Sequence, residues 1–313
     1  HKLAPAIACG ATMVLKPPPQ DPLAVLAVAE LLAASGYPAG GVSVLPCDVA
    51  DAAPLVDDPR IRMLTFTGSA RVGWELRRRA GGKRVALELG GNAAVIVEPD
   101  ADLARAVARI VAGGFAYAGQ SCIAVQRVLA HRDVAASLTE RLVDAVRALR
   151  AGDALDPATE RCPLIDEASA TRVEGWLGEA VAAGARVLAG GTRDGNRLEP
   201  TVVTGVPADA RLEVEELFAP VVSVSAYDRF EEALARVNAS RYGLQAGVFT
   251  RDLRRALQAW ETLEVGAVVI DDVPTFRVDH MPYGGVKDSG LGREGVRSAI
   301  AEMTEERLLI VGR

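Results

Sequence analysis

The sequence has 313 residues, 50% of them hydrophobic and 24% charged, which is enough apolar material for a large core and excludes a disordered chain. Its 35 Lys and Arg interleave with 41 Asp and Glu for a formal charge of -6, so no basic footprint for nucleic acid stands out and a small-molecule partner is expected. Four cysteines without a CxxC pair and only three histidines argue against a zinc site or a disulfide framework, and no apolar run reaches the roughly 18 to 20 residues of a membrane span.

Along the chain, short β-rich runs alternate with amphipathic stretches. Strands are expected over 12–15, 42–45 and 63–66, with helices over 23–35 and from about residue 70. Pro17-Pro18-Pro19, Gly36-Tyr37-Pro38 and Gly40-Gly41 punctuate this βαβα rhythm, which favours a parallel sheet covered by helices. The pattern restarts with strands at 85–89 and 94–97, a helix over 102–115 and a Gly-rich approach to Cys122. A strand at 127–130, helices over 134–149 and 167–183, and strands at 186–188 and 198–203 follow. A Gly-rich loop over 283–295, a helix near 294–303 and an apolar strand, Arg307-Leu308-Leu309-Ile310-Val311, close the sequence. An exposed edge strand is safer paired, so this end argues for a homodimer or homotetramer.

Four segments carry chemistry. Cys122 in Gly119-Gln120-Ser121-Cys122 lies on a loop between helix and strand, where a thiol can act as a nucleophile, although a lone cysteine more often reads as a small core residue. Glu88 ends an apolar strand before Leu89-Gly90-Gly91-Asn92, as a proton-transfer group or as a solvated strand-end acid. Phe66-Thr67-Gly68-Ser69 opens a helix whose N-terminus suits a diphosphate, or is a plain capped turn. Lys16 stands at the C-terminal end of a strand, where α/β proteins bind ligands, or is a surface lysine.

Taken together and in order, these segments resemble the aldehyde dehydrogenase superfamily over essentially the whole chain. Ala4-Pro5-Ala6, Leu15-Lys16-Pro17, Glu216-Leu217-Phe218-Ala219-Pro220 and Gly285-Val286-Lys287-Asp288-Ser289-Gly290 complete the match. The resemblance implies an α/β fold: a Rossmann-like parallel-sheet cofactor domain over 1–91, lacking its N-terminal part, and an α/β catalytic domain over 92–285. Residues 286–303 would return to the cofactor domain, and 304–313 would form an oligomerisation strand. By the same resemblance Cys122 is the nucleophile and Glu88 the general base of a hydrolytic, NAD- or NADP-dependent aldehyde oxidation. Lys16 would hold the adenosine ribose, Gly68 and Ser69 the diphosphate, and Glu216 the nicotinamide ribose, with Phe218 beside the nicotinamide. No metal is implied, and the setting is cytoplasmic.

Three departures bear on this. Relatives carry an N-terminal portion with an oxyanion-hole asparagine that would fall just upstream of His1, so a catalytically impaired pseudoenzyme or assembly module is the alternative reading. Pro19 stands where NAD-selective relatives often carry a glutamate, which leaves NADP open. Ala219 replaces a glycine, a strain if the backbone there needs positive φ. The segments Ala124-Val125-Gln126-Arg127 and Asp279-His280-Met281-Pro282 resemble the branch acting on small polar or acidic aldehydes; Arg277 or His280 would then meet an anionic group, although a loop arginine is more often simply solvated.

Overall fold

In the computed structural model, which describes residues 1–153 and 155–312, the chain divides into two compact units. The first comprises residues 1–88, 278–284 and those from 291 onward; the second comprises 89–277 and 285–290.

The first unit runs α1 (Leu3–Ala8), β1 (Met13–Leu15), α2 (Leu23–Ala34), β2 (Val42–Val44), α3 (Ala53–Asp57), β3 (Met63–Thr67), α4 (Ala70–Arg79) and β4 (Arg84–Glu88), with the helix Val296–Met303 in the same unit. β1 pairs with β2 and β3 with β4, both in parallel, and α2 and α4 provide the crossovers that parallel pairing requires. In the second pair Thr67 sits opposite Glu88. α1 and α3, six and five residues long, had no periodic signal to announce them.

The second unit contains β5 (Ala94–Val97), α5 (Leu103–Phe115), β6 (Arg127–His131), α6 (Arg132–Arg147), α7 (Glu167–Ala182), β7 (Arg186–Ala189), β8 (Arg193–Asp194), β9 (Arg197–Leu198) and β10 (Thr201–Thr204). It continues with α8 (Arg211–Val214), β11 (Val221–Tyr227), α9 (Phe230–Asn238), β12 (Tyr242–Gly243), β13 (Gln245–Phe249), α10 (Leu253–Thr262), β14 (Ala267–Ile270) and β15 (Val286–Lys287). Seven strands form one sheet in the order β14-β13-β5-β6-β11-β10-β7, parallel except where β7 meets β10. β5 is buried along its whole length, as a central parallel strand covered on both faces must be. Val95, Ile110, Val128, Leu138 and Leu142 belong to the core that includes α5 and α6. Ile96, Leu129, Leu234, Val248 and Ala259 belong to a second core with α9 and α10. The α/β parallel-sheet class expected from the sequence is therefore the one observed.

Two expectations need correction. The single strand expected over 198–203 is two, β9 and β10, because Pro200 between them has no N–H to donate, and β9 pairs with β8 while β10 joins the large sheet. The terminal strand is absent among residues 304–312, where Leu308, Leu309, Ile310 and Val311 are all more than three-quarters exposed. Strand geometry there has no neighbouring backbone to bond. Arg313, the end of that expected strand, lies outside the described residues. Among the described residues no helix is long and apolar enough to cross a membrane.

Candidate active site

The approach to Cys122 begins with α5, whose N-terminus is capped by Asp102 accepting from the Arg105 N–H at 3.1 Å. Gly113 and Gly114 let the end of α5 lie close to its neighbours: a Cβ on them would come 3.0 Å from Val125 Cγ2 and 2.8 Å from Val222 Cγ2. The chain then turns through Tyr117, Ala118 and Gly119, at φ 53°, 54° and 66°. Left-handed backbone costs roughly 1–2 kcal/mol at each non-glycine residue, so the surrounding structure must impose it. Gln120 does part of this. Its N–H donates to the Tyr117 carbonyl at 3.1 Å, its side-chain oxygen accepts from the Ile165 N–H at 2.8 Å, and its Nε2 donates to the Pro163 carbonyl at 3.4 Å. Cys122 follows with its side chain partly exposed, before the Val125 N–H returns to the Gly113 carbonyl at 3.0 Å.

Facing the Cys122 segment within the same unit is the strap Leu89-Gly90-Gly91-Asn92. The fully buried Ser289 fixes it from one side: Ser289 Oγ donates to the Gly90 carbonyl at 2.7 Å and accepts from the Gly243 N–H at 3.0 Å, and its carbonyl accepts from the Leu89 N–H at 3.0 Å. On the other side the Gly91 N–H donates to Glu216 Oε1 at 2.9 Å. A Cβ on Gly90 would run into the Glu216 carboxylate, and one on Gly91 into the Cys122 carbonyl oxygen. The two glycines are thus required by close approach, and they put Glu216 and the Cys122 backbone against one strap.

Burial pushes the Glu216 carboxyl up to about 7, against the opposing pull of the Gly91 N–H and the Arg172 and Arg241 guanidiniums. Near neutral pH it therefore exchanges between charged and neutral forms. Phe218, next but one, is 40% exposed and has φ 52°. The left-handed residue of this turn is Phe218 and not Ala219, so the methyl of Ala219 carries no backbone strain of that kind.

In the first unit, Gly68 and Glu88 sit at the ends of adjacent strands, with the Gly68 N–H donating to the Glu88 carbonyl at 3.1 Å. Ser69 is the N-cap of α4 and accepts from the Val72 N–H at 3.5 Å. Glu88 is 6% exposed, and a Cβ on Gly284 would lie 2.9 Å from its Oε1. Lys16 belongs to the other strand pair, just beyond β1, where its Nζ donates to the Pro17 carbonyl at 3.0 Å. Glu88, Gly68 and Ser69 are thus gathered at one strand edge, and Cys122, Glu216 and Phe218 in one neighbourhood of the second unit.

The sequence reading missed the groups that hold this second set: Asn92 and Gln126, both 5% exposed, and Ser289. Asn92 Nδ2 donates to the carbonyls of Glu213 and Glu215, at 3.1 Å each. The buried Arg127, its pKa lowered by desolvation, donates to the Asn92 carbonyl at 3.3 Å. A polar pair, Gln126-Arg127, entering an apolar strand was the available signal, since buried polar side chains must find partners. Among the described residues no group of three His, Cys, Asp or Glu side chains is placed to hold a metal.

The aldehyde dehydrogenase family pattern matches residues 1–309. The 3-sulfolactaldehyde dehydrogenase of Priestia aryabhattai is 44% identical over 312 residues, 99% of this chain and 65% of that protein. Among solved structures, aldehyde dehydrogenase 21 from Physcomitrella patens, in complex with the reaction product succinate, is 45% identical with a TM-score of 0.95, covering 97% of this chain and 64% of that one. The glyceraldehyde-3-phosphate dehydrogenase GapN from Methanocaldococcus jannaschii, complexed with NADP, is 39% identical with a TM-score of 0.93 and coverage of 97% and 67%. The chain thus spans about 65% of the length of the first of these relatives. With matches that run through both units and nearly from end to end of the sequence, the chain belongs to the aldehyde dehydrogenase family.

Proposed function

We propose that the chain carries the chemistry of an NAD- or NADP-dependent oxidation of an aldehyde to a carboxylic acid, with Cys122 as nucleophile and Glu88 as general base. The observation that supports this most is the junction at Gly91, where the Glu216 carboxylate and the Cys122 backbone meet one glycine strap. The residues fit a dinucleotide. A capped helix N-terminus follows a parallel strand at Gly68-Ser69, where first-turn N–H groups suit a diphosphate, and the partly buried Glu216 offers a ribose acceptor. Lys16 would bind the adenosine ribose and Phe218 would pack beside the nicotinamide.

In the chemistry proposed, the Cys122 thiolate forms a bond to the aldehyde carbon and the carbonyl oxygen takes the negative charge, which the Cys122 backbone N–H stabilises. The bound nicotinamide would supply the hydride acceptor, so the former aldehyde carbon loses hydride as its C=O re-forms and stays joined to Cys122 as a thioester. Glu88 then takes a proton from water as its oxygen attacks the thioester carbon, and the acid leaves with Cys122 restored as thiolate. Residues 1–91 serve the cofactor and 92–285 the substrate, while 304–313, with no strand over its described residues 304–312 in the single chain, would gain one only by pairing with another subunit of a homodimer or homotetramer. A small polar or anionic aldehyde in the cytoplasm is the substrate class, supported by relatives named for 3-sulfolactaldehyde, lactaldehyde and succinate semialdehyde.

The test is NAD(P)H formation by the chain with those three aldehydes, beside Cys122→Ala. Formation that falls by about 10⁴-fold or more in the variant supports the assignment. No formation with any of the three, together with no rise in Tm on adding NAD or NADP, overturns it for this chain.

A further inference from the structure

Residues 212–217 carry Glu216 and have little of their own to hold them. α8 is four residues long, far below what is stable alone, and its last carbonyls have no partners inside the helix. Leu212 and Leu217 are buried, which anchors the segment by its apolar side chains but leaves its backbone groups to be satisfied. Arg172 Nη2 donates to the Leu217 carbonyl at 2.9 Å, and side-chain amides satisfy others. Besides the two bonds from Asn92, Gln126 Nε2 donates to the Glu215 carbonyl at 2.7 Å and the Leu212 carbonyl at 3.3 Å, while Gln126 Oε1 accepts from the Leu217 N–H at 3.0 Å. Both donors and the acceptor of one amide are thus spent on the two sides of Glu216.

Gln126 is itself fixed. Its N–H donates to the Ala93 carbonyl at 3.0 Å and its carbonyl accepts from the Ser223 N–H at 2.9 Å, which locks it into the sheet beside β6. It also stands four residues after Cys122. Resting on the role proposed above for Glu216, we propose that Gln126 is a positioning residue for the cofactor: its amide ties the Glu216-bearing segment to the chain that runs from Cys122 into β6, so the ribose acceptor and the thiol share one frame. An apolar side chain of the same length would fill the space, strip the Leu212 carbonyl and the Leu217 N–H of these partners, and leave the Glu215 carbonyl to Asn92 alone.

The test compares the chain with Gln126→Met, which keeps the volume and loses the three bonds, and with Gln126→Glu, which keeps an acceptor for Leu217 but sets a carboxylate against two carbonyls. In Gln126→Met, amide hydrogen exchange over residues 212–218 should quicken and the Kd for NADH or NADPH should rise, each by about tenfold, while Cys122 alkylation by iodoacetamide stays within about twofold. KM for the cofactor should move more than kcat, and Gln126→Glu should lose at least as much affinity as Gln126→Met. Unchanged exchange over 212–218, an unchanged Kd despite faster exchange, or exchange quickened equally across the core strands would each overturn the proposal. A parent chain that binds neither dinucleotide overturns the function proposed above, and the exchange result alone then decides whether Gln126 holds the segment.

Discussion

α5 and α2 are both apolar helices that follow a β-strand, yet α5 buries Ala106, Val107, Ile110, Gly113, Gly114 and Phe115 while α2 buries none of its twelve residues. Leu23 and Leu31 of α2 are 74% and 71% exposed. Hydrophobic composition therefore does not decide burial; covering elements do. The consequence for the site is unequal support. Cys122 and Glu216 are set by close backbone approach and by buried amides, whereas the side-chain hydrogen bond of Lys16 goes to its own neighbour, Pro17. Changes in the packed neighbourhood should be costly out of proportion to their size, and changes around β1 should be mild.

Gly91→Ala should have the largest effect. One methyl directed at the Cys122 carbonyl forces the strap or the Cys122 segment to move, at about 1–3 kcal/mol. Thermal denaturation should show a drop of about 2–4 °C for each kcal/mol. Should it melt with the parent chain, the packed neighbourhood is softer than its contacts imply.

Glu216→Gln comes next and depends on pH. Because burial raises the folded-state carboxyl to about 7 from its ordinary 4.5, the folded chain holds a proton that the unfolded chain has lost between those values. This stabilising contribution is complete below about 4.5 and is lost as pH rises through 7. The parent chain should therefore lose Tm relative to Glu216→Gln between pH 5 and 8, with the gap widest at the alkaline end. Cofactor affinity in the parent chain should rise over the same window, as the carboxylate becomes available to accept from ribose hydroxyls. A Tm difference that does not vary with pH would place the ionisation elsewhere.

Smaller again is Tyr117→Asn. Tyr117 is 80% exposed and held at φ 53°, a conformation asparagine tolerates better, so a stabilisation of about 0.5–1 kcal/mol is expected from urea denaturation. Lys16→Ala should be the mildest, within about 0.5 kcal/mol of the parent chain in the same measurement. An effect as large as that of Gly91→Ala would erase the contrast between the two neighbourhoods.

Much of the fold was legible in the sequence. Short β-rich apolar runs and glycine or proline stops located β1 to β6 and the long helices to within a few residues, because those signals are local. Elements set by distant partners were not legible. The end of the chain is apolar and β-prone, yet no strand forms where no neighbour supplies bonds, and Pro200 divides what composition reads as one strand. For the site, Cys122, Glu88, Lys16, Ser69, Glu216 and Phe218 could be named from motifs, but their supports could not. Gln126 meets residues 86 to 91 positions away, and Gly91 meets Glu216 across 125. Nor does anything in Tyr117-Ala118 announce left-handed backbone, since neither residue favours it.

The turn at Phe218 has a consequence for which substitutions this chain can accumulate. Because Phe218, and not Ala219, adopts the left-handed conformation, the two neighbours are filtered by different rules. Position 219 admits a methyl and is limited by room, being 5% exposed and lying against Gly119. Position 218 is limited by backbone first: valine and isoleucine, branched at Cβ, are excluded there however well they would suit a neighbouring ring, so drift at this turn is channelled toward unbranched side chains.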